Sequence, residues 1–303
     1  MTDDPARVRQ TPEKLALLGI VVNALLAAGK LSAGVLGHSF ALVADAVESL
    51  VDIAGSVVVW SAMKYGSKPA DEEHPFGHGK IEPMAALAVA SVIVLVGIGV
   101  AVEAVRQIIT PHSMPRPWTL LVLVVVIVVK ESLARVADKA ARRARSSAGA
   151  ADAWHHRSDA ITSAFAFVGI GVALIGGPEY ARADDVAALL ASGVIVLNGF
   201  LLAREPYHEL LDRHSPEIAR AACELAMGVP GVLGVEQCDA RQSGRGYRVV
   251  MHVEVSPEMT VARAHGITGR IKAEIRSQRA DIDSVLIHIE PHPGADAGAS
   301  DRC

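Results

Sequence analysis

Glu48 and Asp52 stand four residues apart, and so do His155 and Asp159. On a helix, residues i and i+4 project from one face about one turn apart, so each pair offers two ligand atoms in the same direction. Two such helices facing each other would present one imidazole and three carboxylates, a donor set suited to four-coordinate Zn2+ or a similar divalent ion. Both pairs lie in apolar stretches. A carboxylate at the centre of a bilayer costs about 2.5–3.5 kcal/mol on insertion scales, so three of them need compensation. A dication supplies it, and so does protonation when the metal is gone. The plainer alternative is ion pairing of single acids, with Lys30 or Lys130 as the partner. Asp45 shares the face of Glu48 and Asp52 and reads as a group supporting the ligands, a proton relay or a structural residue.

Two further clusters carry metal-ligating residue types. Asp71, His74 and His78 fall within PADEEHPFGHGK, at spacings of three and four near Pro75 and Gly77. Such a loop can wrap one ion, although acidic His-bearing loops are often simply solvated. Near the C-terminus His252 and Glu254 share one strand face, and His288 and Glu290 share another. A sheet with helices on one face leaves the other to water, where polar residues are expected without any function.

The elements that must position these residues are apolar. The chain has 303 residues, 51% of them hydrophobic, only 20% charged and 4% aromatic, with a mean hydropathy of +0.33. Residues 83–102 run for twenty positions without a charge, about the length a helix needs to cross the hydrocarbon layer. Apolar stretches at 15–37, 40–63, 83–105, 117–136, 155–177 and 184–203 predict six spans, with interior charges facing a bundle core or a wet cavity. Lys and Arg concentrate in 1–14, 64–82 and 137–154, which predicts cytoplasmic N- and C-termini. The polar N-terminus lacks the layout of a cleaved signal, so the first apolar stretch is expected to stay as an anchor.

After residue 204 the pattern changes to helix 215–228, strands 232–241 and 247–255, helix 260–279 and strand 282–290, an αββαβ order that predicts a small two-layer α+β domain. The expected organisation is a cytoplasmic tail over 1–14, a six-helix transmembrane domain over 15–205, a cytoplasmic metal-binding regulatory domain over 206–293 and a disordered tail over 294–303. A net charge of −4 excludes a generally basic nucleic-acid binder, and three cysteines without a CxxC pair suggest a reduced compartment for the C-terminal part.

The segments HSFALVADAVESLVDIAGS, PADEEHPFGHGKIEP and DAWHHRSDAITS, in that order, resemble the cation diffusion facilitator family, over about residues 15 to 292. The resemblance implies a proton-coupled exporter of divalent transition metals, with six transmembrane helices, a cytoplasmic ferredoxin-like domain and a homodimer. By position it assigns the transport site to Glu48, Asp52, His155 and Asp159, and Asp71, His74 and His78 to a second metal site found in some bacterial members. It also places His252, His265, His288 and Glu290 at a metal site between paired cytoplasmic domains, and Lys80 near the dimer seam, paired with Asp212. Two positions depart from similar members: Glu48 replaces Asp or His, and Glu236 replaces His.

The expected function is divalent metal efflux from the cytoplasm across a bacterial inner (plasma) membrane, by metal/proton antiport and alternating access. Zn2+ ranks first, ahead of Fe2+, Cd2+, Co2+ and Mn2+. Metal ions are substrate and regulator, no organic cofactor is implied, and the chain is not expected to be an enzyme. The alternatives are a membrane-bound metal sensor without transport and a membrane-embedded metal hydrolase, for which the chain has no HExxH.

Overall fold

The computed structural model describes residues 22–110, 114–144 and 147–293, without the side chains of 137, 140–144 and 147–156. The expected tails over 1–14 and 294–303 lie outside the described residues. Six helices come first: α1 (Val22–Gly37), α2 (Phe40–Gly66), α3 (Ile81–Ile109), α4 (Trp118–Ala144), α5 (Ser147–Gly176) and α6 (Ala183–Leu210). Helices α2 to α6 run from 27 to 30 residues. At 1.5 Å per residue each is about 40 Å long, against a hydrocarbon layer of about 30 Å.

Among the described residues Ile81–Ile109, Arg157–Gly176 and Pro178–Leu210 are both long and apolar enough to span, and Val22–Gly37 is a shorter apolar helix. Helices α2 and α4 have the length but carry Asp45, Glu48 and Asp52, and Lys130, Glu131 and Arg135, respectively. Both α4 and α5 outrun the apolar stretches expected at 117–136 and 155–177. Hydropathy marks only the hydrocarbon layer, whereas Ala-rich ends such as VADKAARRA and SAGAADAW continue a helix beyond it.

The chain forms two compact units. One comprises Met1–Val58 and Ala88–Ala203. Its core is built from small residues, with Ala33, Ala41, Ala44, Ala104, Ala166, Ala187 and Ala188 around Leu42, Leu123 and Ile170. Large hydrophobic side chains face outward instead: Ile175 is 91% exposed, and Leu95, Leu197, Phe200 and Leu201 are also open. Meanwhile Lys30, Asp45, Lys130 and Asp159 are buried. That arrangement inverts the pattern of a water-soluble domain and suits a lipid surround. Gly97 and Gly199 let α3 and α6 approach closely: a Cβ at Gly199 would lie 2.6 Å from Val94 Cγ2, and one at Gly97 would lie 2.8 Å from Val196 Cγ2. The start of α2 is capped from α6, because Asp184 accepts hydrogen bonds from the Phe40 amide at 2.7 Å and the Ser39 hydroxyl at 2.8 Å.

The other unit comprises Val59–Leu87 and Arg204–Cys303, so it takes the facing ends of α2 and α3 together with the C-terminal region. It contains α7 (Pro216–Met227), β1 (Gly234–Ser243), β2 (Gly246–Val255), α8 (Val261–Gln278) and β3 (Ile282–Pro291). The sheet order is β1-β2-β3, antiparallel for β1 with β2 and parallel for β2 with β3. Ala264, Ile267, Ile271 and Ile275 recur along one face of α8 and are buried with Val249, Met251, Val253 and Val255 of β2. Thr260 caps α8 by accepting from the Arg263 amide, whereas Ser215 makes no side-chain cap bond at the start of α7.

Candidate metal-transport site

Within the helical unit a cavity of about 250 Å³ is lined by Glu48 and Asp52 of α2, Ser158 and Asp159 of α5, and Asn198 of α6, with Ile93, Val96 and Ile195 closing its apolar wall. Glu48 and Asp52 reach it together because one helical turn separates them, as the i,i+4 spacing requires. His155 lies on α5 one turn before Asp159, and its side chain is outside the described residues. Asn198 is a lone amide in the apolar run VIVLNGFLL and donates from Nδ2 to Ser158 Oγ at 3.2 Å. Neither Asn198 nor Ser158 was singled out from the sequence. A single polar residue in an otherwise apolar span was the signal available.

Two buried lysines divide the remaining acids. Lys30 lies 3.0 Å from Asp45 Oδ1 and donates to Ser49 Oγ at 2.6 Å, while Ser163 donates to Asp45 Oδ2 at 2.8 Å. Asp45 is therefore part of a lock between α1, α2 and α5 and does not line the cavity. Lys130 of α4 lies 2.6 Å from Asp159 Oδ2. Asp159 thus lines the cavity and pairs with a buried lysine at once.

A cation efflux transmembrane domain matches residues 16–211 of this chain, and the cytoplasmic domain of cation efflux proteins matches 215–292. The chain belongs to the cation diffusion facilitator family. The manganese efflux system protein MneP of Bacillus subtilis is 30% identical over 288 residues, covering 93% of this chain and 97% of that protein. The cation-efflux pump FieF of Cronobacter sakazakii is 32% identical over 280 residues, with 92% of each chain covered. Metal tolerance protein 2 of Oryza sativa subsp. japonica is 31% identical over 308 residues, covering 92% of this chain and 78% of its own. This cation diffusion facilitator is accordingly a divalent-cation efflux transporter and not an enzyme, with a helical membrane domain followed by an α+β domain.

Among the described residues the transporter has two other groups of closely placed His and carboxylate side chains. Asp71, His74 and His78 place their ligand atoms within 4.8 Å of one another. Asp71 Oδ1 accepts the His74 amide at 2.7 Å, and Oδ2 lies 3.4 Å from His78 Nε2. That backbone N–H, with the two imidazoles beside it, holds the Asp71 carboxyl below its usual range. The turn depends on Gly77 at φ 76°. His78 is buried against Tyr65, and its Nδ1 has no hydrogen-bond partner among the described residues. This donor set fits a divalent ion. Nearby, Lys80 Nζ lies 2.6 Å from Asp212 Oδ1 and donates to the Glu209 carbonyl at 2.8 Å.

In the α+β domain the parallel register sets His252 beside His288 and Glu254 beside Glu290. His252 Nδ1 lies 2.8 Å and His288 Nε2 3.5 Å from Glu290 Oε1. Glu236 joins them, its ligand atom within 4.8 Å of those of His252 and Glu290. It sits where the β1–β2 register shifts between Val235 and Gln237, a bulge that strict alternation does not anticipate. A hydrogen bond with Glu290 pushes the Glu236 carboxyl up, and the same bond, with His252 adjacent, holds Glu290 down.

His265 is exposed on α8, the layer that packs on the other sheet face, and a single chain does not bring it to this cluster. Glu254 departs from the expected solvated face: it is 4% exposed because Gly234 leaves it room and His292 Nδ1 meets it at 2.8 Å.

Proposed function

We propose that this transporter expels a divalent transition-metal cation from the cytoplasm in exchange for protons, as a homodimer in the bacterial inner membrane with both termini cytoplasmic. The observation that carries the reading is the convergence of Glu48, Asp52 and Asp159 on one cavity inside the helical unit. Metal binding needs ionised carboxylates and a neutral imidazole, so metal and protons compete for the same groups. Rocking of the bundle would expose the loaded cavity outward, where protons displace the ion. His155 is the proton carrier in this scheme, since imidazole is the side chain whose charge changes nearest neutral pH. The loop trio Asp71, His74 and His78 and the Glu236, His252, His288 and Glu290 group would hold cytoplasmic metal that favours the inward opening, the latter between the two copies.

Metal preference follows the donor chemistry. Ser158 and Asn198 add neutral oxygen donors to the carboxylates, and oxygen donors suit Mn2+, whereas thiolate and imidazole suit Zn2+. On that ground we rank Mn2+ ahead of Zn2+, the sequence-based first choice, with Fe2+, Co2+ and Cd2+ behind. The test is uptake of each of the five metals into proteoliposomes under an imposed pH gradient, beside Asp52→Asn. Asp52 is the better control because removing Asp159 would also orphan Lys130. Flux that follows the gradient and vanishes in the variant is the expected result. Tight binding without flux would favour the sensor instead.

A further inference from the structure

Lys130 is 3% exposed, and its Nζ lies 2.6 Å from Asp159 Oδ2. Asp159 lines the transport cavity while Lys130 does not, so the lysine meets this carboxylate from behind, out of α4. The other buried lysine is not available for this purpose. Lys30 is paired with Asp45, whose second oxygen is held by Ser163, so those two charges cancel each other. Among the described residues, Glu48, Asp52 and Asp159 bring carboxyls to the cavity, and Lys130 sets a cation against one of them. A cation fixed beside a carboxylate of the site repels an incoming dication, and that repulsion is poorly screened in apolar surroundings.

We propose that Lys130 is a positioning residue for transport, a tethered counter-cation that pins Asp159 and trims the site's negative charge so that bound metal can leave. This rests on reading Glu48, Asp52 and Asp159 as the transport site. It makes a prediction opposite in sign to that of a merely structural ion pair. Loss of a structural pair loosens the site, whereas loss of the counter-cation tightens it.

The experiment titrates Co2+ into the full chain in detergent, following its visible absorption bands, and measures Co2+ flux in proteoliposomes. Lys130→Met removes the charge, Lys130→Gln keeps a hydrogen-bond donor without it, and Lys130→Arg keeps both. Asp52→Asn identifies the binding that belongs to the membrane site. The neutral variants should bind Co2+ at the Asp52-dependent site about tenfold tighter or more, equivalent to about 1.4 kcal/mol. Their KM and turnover should fall together, while Lys130→Arg stays close to the unsubstituted chain. Unchanged or weaker Co2+ binding in both neutral variants overturns the proposal. So does failure of both to assemble while Lys130→Arg assembles, since the pair would then be structural. If Asp52→Asn leaves all Co2+ binding intact, the transport-site reading fails instead.

Discussion

Asp212 adopts φ 55°, in the left-handed region where Asp and Asn are the side chains most readily accommodated after glycine. Partial burial works to raise its carboxyl, but the bonds to Lys80 and Arg241 outweigh that and hold it below the usual range. A carboxyl lowered in the folded state contributes stability above its unfolded value, near 3.9. The contribution is lost as pH falls through the lower folded value. Asp212→Asn keeps the turn and removes only the charge. We expect it to destabilise the chain at pH 7 by about 0.5 kcal/mol, discounted because the pair is partly exposed. Thermal melts against the unsubstituted chain should converge in strong acid, below the folded pKa. A gap that persists there would mean that the loss is geometric. The Lys130–Asp159 pair belongs to a different regime, because both partners are buried and their attraction is poorly screened by water.

Packing between helices turns on single methyl groups, and α6 contains an internal control. A Cβ at Gly199 would lie 2.6 Å from Val94 Cγ2 and 3.2 Å from the Ala90 carbonyl, whereas one at Gly193 meets nothing within 4 Å. Gly199→Ala should push α3 from α6, costing about 1–3 kcal/mol and slowing flux, since both helices line the cavity. Gly193→Ala should be neutral or stabilising by up to about 1 kcal/mol from helix propensity alone. Melting temperatures and flux of the two variants decide it; equal effects would remove the packing argument. The α+β elements were legible in the sequence because Ile267, Ile271 and Ile275 repeat at helical spacing and His252, Glu254, His288 and Glu290 alternate with core residues. The carboxylates that line the cavity were legible for a similar reason, since charge in an apolar span is conspicuous. The aim of Glu236 was not, because it depends on a bulge that spacing does not anticipate, and the burial of Glu254 was not, because it depends on Gly234 and His292. Which lysine meets which acid is also unreadable from spacing: Lys130 and Asp159 are 29 residues apart on different helices.

The whole molecule works as an exporter only if its cavity alternates between the two sides of a membrane, which makes the number of crossings a functional quantity. Glu72 in the loop between α2 and α3 and Glu179 between α5 and α6 are both exposed, and α3, α4 and α5 lie between them. Three crossings put these positions on opposite sides. Lys64, Lys68 and Lys80 lie near Glu72, whereas Arg182 is the basic residue nearest Glu179, which predicts a cytoplasmic Glu72. With Cys223, Cys238 and Cys303 replaced by Ser, Glu179→Cys should react with a membrane-impermeant maleimide on intact spheroplasts. Glu72→Cys should react only after lysis. Labelling of both from outside would mean that one of the three helices does not cross, and α4 is the one at issue, since Lys130, Glu131 and Arg135 interrupt its apolar run. The Lys130–Asp159 bond argues that it does cross, because a lysine paired with a carboxylate that lines a cavity inside the helical unit must reach that depth on a helix threaded through it.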